Sequence, residues 1–279
     1  MPMSKFHVLF AALAAFCLAP LGAAQAEIVV NARGVAGWES TDTRVAGVNA
    51  TTSPDIDSRI QFDAGPAGSD GSLKLISPAS NDKATFAYVD TNGLGGLANF
   101  TASYRWFKDS PVGGAPAPAL KLGIRTSDFG STPPSSMRIG ENNWDKIMVY
   151  EPYDNPDAGS TPVGTWVTQT ITATSGTWSM FNRTPPAGVV NPPHSSLTLT
   201  QWLADATWGT RLTGGVVVDV ALGVGSGNAN TVGYVDWLET SAIAGGERIN
   251  FTAIPEPATL ALAGAAMIGL VAAGRRSRA

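Results

Sequence analysis

Carboxylates are the groups with the widest chemical reach in this chain, because thiol and imidazole are nearly absent. The one Cys is Cys17, and the two His are His7 and His194. Zinc takes several His or Cys ligands, so no zinc centre can be assembled. A Ser-His-Asp triad would have to use His194 as its base, and no Gly-x-Ser-x-Gly turn accompanies it; His194 reads as a solvated loop residue. A glycosidase needs two acids facing one bond. Asp236 and Glu239 have odd spacing, so a straight strand sends them to opposite faces. Glu151, Asp154 and Asp157 lie in a loop broken by proline. Within it, Asp154-Asn155-Pro156-Asp157 offers oxygens of the kind a structural calcium takes, without an EF-hand or glycine-aspartate repeat. No other cofactor is expected, since no glycine-rich phosphate loop stands between a strand and a helix.

Sugar binding is the chemistry with most support. The chain has 8 tryptophans, and apolar sugar faces stack on exposed rings while amides and carboxylates bind the hydroxyls. Asn142-Asn143-Trp144-Asp145, with Tyr150 and Tyr153 close behind, has that composition. Asn143, Trp144, Asp145 and Tyr150 are therefore the candidate ligand residues, whereas Trp106, Trp202 and Trp237 read as core or edge packing.

Such residues need a scaffold, and composition indicates strands. Charged residues make up 14%, with 31 Gly and 19 Pro in 279 residues, which suits short strands joined by many turns. Two-residue alternation recurs between turn residues. Phe100, Ala102, Tyr104 and Trp106 share one face of a strand, as do Leu120, Leu122 and Ile124 of another. Val216, Val218, Val220, Leu222 and Val224 are expected on one face of a third. Further strands are expected at 59–62, 72–77, 85–90, 146–151, 166–174, 177–181 and 231–238. A short helix over 200–206 is expected, capped by Thr198 or Thr200, with Trp202 and Leu203 inward. About ten strands in a single domain over 27–250 predict an all-β fold, an antiparallel two-sheet sandwich of jelly-roll type. In outline the body resembles concanavalin-like and carbohydrate-binding-module jelly rolls, an architectural likeness that does not establish function.

The two ends carry an address. Lys5, an apolar run from Val8 to Leu21, and small Ala24 and Ala26 before Glu27 form a secretory signal helix over 1–26, cleaved after Ala26 by signal peptidase. At the other end come Pro255-Glu256-Pro257, apolar Ala258–Gly274, and Arg275, Arg276 and Arg278. Seventeen residues at about 1.5 Å each just cross a bilayer core, and the arginines hold the end in the cytoplasm. These three ordered parts over 254–279 resemble the PEP-CTERM protein-sorting domain. The resemblance implies recognition by an inner-membrane exosortase, cleavage near Pro255-Glu256-Pro257, and a Gram-negative host that makes extracellular polysaccharide or biofilm.

Four of the 18 basic residues lie in the two ends and none of the 22 acids lies in the leader or after Pro257, which leaves the body near −8. Phosphate backbones would repel it, so nucleic acid is not an expected partner. The expectation is an exported, non-enzymatic cell-surface or matrix protein, held briefly in the inner membrane, with polysaccharide as its candidate ligand. A secreted polysaccharide-active enzyme and a self-associating structural module remain alternatives.

Overall fold

The computed structural model describes residues 27–50, 52–90, 92–109, 117–127, 144–155, 161–182, 197–225, 229–243 and 246–253. The leader, the tail and Asn143 lie outside them, and with them Ala24, Ala26, Pro255, Glu256, Pro257, Arg275, Arg276 and Arg278. Among the described residues no helix is long and apolar enough to cross a membrane.

The strands are β1 (Glu27–Val30), β2 (Trp38–Ser40), β3 (Arg44–Val45), β4 (Val48–Asn49) and β5 (Ile60–Asp63). Next come β6 (Ser72–Ser77), β7 (Lys83–Val89), β8 (Thr101–Lys108), β9 (Ala119–Arg125) and β10 (Lys146–Tyr150). Then follow β11 (Trp166–Thr172), β12 (Ser179–Asn182), β13 (Val216–Gly225), β14 (Thr231–Thr240) and β15 (Arg248–Phe251). They form two sheets, as the alternation predicts. In the first, β8 runs along one side of β14 and pairs outward with β11; the other side of β14 is shared by β6, followed by β5, and by β15, followed by β1. The second has the order β12-β10-β9-β13-β7, and β7 is flanked by β2 and β3. Pairing is antiparallel except for β1 with β15, which run parallel.

The core lies between the sheets. Trp38, Phe62, Phe86 and Phe251 gather at one end through stacked and edge contacts, and Phe100, Tyr150 and Trp178 at the other. Phe100, Ala102, Tyr104 and Trp106 all face inward as read. The short helix spans Leu199–Ala204, and Thr198 caps it in a reciprocal pair with Gln201, which satisfies two otherwise orphan backbone donors. Trp202 is buried beneath it and donates its indole N–H to the Trp178 carbonyl at 2.8 Å.

Two β-bulges correct the simple alternation. In β13 the register against β9 shifts between Val217 and Asp219, so Val217, and not Val218, joins Val220, Leu222 and Val224 in the core cluster. In β14 the register against β8 shifts between Val235 and Trp237, and the inward residues become Val235 and then Leu238. A bulge sets two residues opposite one and turns neighbours the same way. Asp236 and Trp237 are thus both released to the outer face, and Glu239 follows them there.

Candidate functional site

The predicted sugar platform is built into the packing. Trp144 is 9% exposed and lies so close over β9 that a Cβ at Gly123 would come within 2.5 Å of its ring. Asp145 accepts from the Thr126 amide and hydroxyl, each at 2.7 Å, and pairs with buried Lys146. Tyr150 is fully buried against Trp178, 5.5 Å between centroids. Trp144, Asp145 and Tyr150 are thus taken up in packing and hydrogen bonds within the body. In the adjoining loop, the Asn155 side chain donates to the Glu151 and Thr177 carbonyls and accepts from the Thr177 amide.

A row of aromatic residues lies on the outside of the first sheet, with Phe107 and Tyr234 buried and Trp166 and Trp237 half-buried. Cross-strand register places Trp166, Phe107 and Tyr234 in one row, Thr168, Arg105 and Trp237 in the next, and Thr170, Ser103, Glu239 and Arg248 in a third. Arg105 donates to the Asp236 carboxylate at 2.6 Å and to the Gly68 carbonyl at 2.9 Å. Its guanidinium lies 4.8 Å from the centre of half-buried Trp166. Arg248 repeats the arrangement: it donates to Glu239 at 2.6 Å and lies 4.3 Å from the centre of half-buried Trp237. Burial raises the Asp236 carboxyl above its ordinary range, and the bond and charge of Arg105 act against that rise.

Beside the Trp237–Arg248 pair runs a groove of about 320 Å3, lined by Thr101, Ser103, Thr170, Glu239 and Ser241 among others. Rings, forked guanidinium donors, carboxylate acceptors and hydroxyls thus share one surface. The carboxylates fix the orientation of each guanidinium, so little side-chain freedom is left to lose when a ligand binds. Sequence reading assigned Trp237 to packing and parted Asp236 from Glu239, because the bulge that turns all three outward leaves no mark in the alternation.

The outer face of the second sheet carries Lys121, Thr85, Asp219 and Trp144 around a small pocket. Lys121 reaches across Gly223 to donate to the Thr85 hydroxyl at 3.2 Å. Glu151 keeps one carboxylate oxygen shut from solvent without a hydrogen-bond partner. Burial pushes its carboxyl up to about 7, with Asp154 adding to the rise and Lys121 and Lys83 opposing it. A carboxyl raised in the fold binds more protons folded than unfolded, so its contribution to stability falls as pH rises from about 4.5 to about 7. Replacing Glu151 with Gln should flatten that part of the stability profile, read from urea midpoints between pH 5 and 8. An unchanged slope would show that Glu151 does not carry it.

The sequence after β15 decides how the chain is handled. Residues 253–277 match the PEP-CTERM protein-sorting motif. The motif marks an exported protein of Gram-negative bacteria, anchored at its C-terminus before processing, with exosortase as its processing partner. No curated protein matches the chain. Among solved structures, it is similar to a family 11 carbohydrate-binding module from Clostridium thermocellum in complex with a β-1,3-1,4-mixed-linked tetrasaccharide. That likeness has 12% identity and a TM-score of 0.37, and covers 81% of this chain and 95% of the other. The family 11 module of a cellulosomal cellulase of the same organism gives 11% and 0.39, over 80% and 93%. An exo-β-agarase gives 12% and 0.35, over 75% of this chain and 24% of the enzyme. The sandwich assignment rests on the strand pairing described above.

Proposed function

We propose that the protein is a non-enzymatic component of the cell surface or extracellular matrix that binds polysaccharide on the outer face of its first sheet. In this reading the leader is removed after Ala26 by signal peptidase, the body needs no metal or cofactor, and exosortase removes the tail. One observation carries the binding role: two Arg–carboxylate–Trp arrangements stand on one outer face beside a groove lined with hydroxyls. Adjacent strands are about 4.8 Å apart, so a glycan crossing them meets Trp166, Arg105, Trp237 and the neighbourhood of Arg248 in succession. The acidic body favours neutral over anionic chains.

Affinity electrophoresis tests this, with mixed-linkage β-glucan, xyloglucan and hydroxyethylcellulose cast separately into native gels. At least one glycan should retard the processed protein. Trp237→Ala should weaken that retardation about tenfold, equivalent to about 1.4 kcal/mol. If no glycan retards the protein, or the variant runs like the wild type, this face is not the binding site. A polysaccharide-active enzyme is the second reading, supported by the buried Glu151 carboxyl that titrates near neutrality. New reducing ends released from the retarding glycan would favour it.

A further inference from the structure

The edge of the first sheet at β11 lacks the usual guards against pairing with another chain. Natural sheets blunt their edges by keeping them short or by placing charges, prolines or bulges there. The edge strands β1, β5 and β12 have four residues each, and β5 ends on Asp63. β11 has seven residues in unbroken register with β8, its one strand partner among the described residues. Val163–Thr174 contains neither charge nor proline, and its many β-branched residues suit an extended chain.

The outer backbone groups of β11 can be assigned from its end. The Thr172 amide donates to the Ser175 hydroxyl at 3.0 Å, and the Thr172 carbonyl accepts from the Ser175 amide at 3.3 Å. Thr172 thus turns both groups away from β8. Its partner Thr101 agrees, since it directs its own amide and carbonyl to Ser241 on the side of β14. In an antiparallel ladder this orientation repeats at every second residue. Trp166, Thr168 and Thr170 therefore also point their amides and carbonyls outward, and the side chains of Thr168 and Thr170 are exposed.

We propose that this edge pairs with the same edge of a second copy, antiparallel about a two-fold axis through Thr168. Thr168 then faces its own counterpart and Trp166 faces Thr170, each pair exchanging both backbone bonds. The two ends of β11 set this register. The turn that places Ser175 beside Thr172 closes the lane beyond Thr170. Gly164, with a φ of 73°, turns the chain toward Lys108 of its own β8, so the incoming strand ends before it meets that turn. A strand facing its own copy must meet its own charges, and β11 has none to repel; Thr opposite Thr is a favourable cross-strand pair. The axis stands perpendicular to the sheet, so the outer faces of both copies form one surface. The inference rests on the strand pairing and is independent of glycan binding.

Cysteine trapping in the unprocessed full chain tests the register, with Cys17→Ser removing the one native thiol. Opposed residues that exchange both bonds have Cα atoms about 5.5 Å apart, within the span of a disulfide. Thr168→Cys should give a disulfide-linked dimer with oxidised glutathione. It should form at least about tenfold faster than with Thr170→Cys, whose counterparts stand roughly 13 Å apart along the strands. A second variant removes a donor that the fold itself leaves unused: Thr168→Pro deletes one outward N–H and none directed at β8. In analytical ultracentrifugation the processed wild type should be a dimer that dissociates on dilution through the micromolar range. Thr168→Pro should weaken that dimer at least about tenfold. Equal trapping at the two positions, a dimer indifferent to Thr168→Pro, or a wild type that stays monomeric would overturn the proposal.

Discussion

Phe251→Ala should lower the unfolding free energy by about 3–5 kcal/mol, the usual cost of truncating a fully buried aromatic side chain. Domains of this kind have only about 5–15 kcal/mol in hand, so the variant should lose about a fifth or more of its stability. Phe251 has no exposed surface and sits edge-on to Trp38 at 5.1 Å and near Phe86 at 6.3 Å. The cavity would open where both sheets meet, walled by rings whose strands fix their positions, so little collapse can fill it. Urea unfolding followed by tryptophan fluorescence should show a lower midpoint with an unchanged slope. Thr168→Ala, exposed on β11, should stay within about 0.5 kcal/mol of the wild type. A Phe251→Ala midpoint equal to that control would show that this end of the core does not hold the sandwich together.

Glu256→Ala should stop tail processing and leave full-length protein in the inner membrane. The variant keeps the apolar length of Ala258–Gly274 and the basic Arg275, Arg276 and Arg278, so insertion should be unaffected. What disappears is the one charge between two prolines that keep the segment extended. Fractionation with an antibody against the body should find wild-type protein outside the inner membrane and the variant within it. Equal release of both would show that Glu256 is not read by the processing enzyme.

Much of the fold was legible because β8 and β9 alternate strictly over six or more residues, and alternation reports directly which side chains face the core. The Thr198–Gln201 cap was legible for a similar reason: one local pattern satisfies the first turn of Leu199–Ala204. The strands β1, β2, β3, β4 and β15, each of two to four residues, passed unread, although β5 and β12 of four residues were found. The pairing of β1 and β2 depends on partners far along the chain, as with Glu27 opposite Arg248. The candidate face was hidden by a single bulge. Counting by twos puts Asp236 and Glu239 on opposite sides, and only the register against β8 reveals the extra residue. Trp144 misled in the other direction, since its polar neighbours suggest exposure while Gly123 makes room for its ring.

The position of β15 also has a mechanical meaning. It is hydrogen-bonded to β14 on one side and β1 on the other, and the matched sorting motif begins two residues after it, at Ala253. Under the proposed surface role, a load applied at the C-terminal end of the body reaches β15 first. Tension along that strand shears both ladders at once, so their bonds share the force and do not peel apart one at a time. Rupture under load follows the unfolding rate, not the equilibrium stability. In that role the short last strand would make the join between body and tail resistant to tearing, because two ladders would have to give way together.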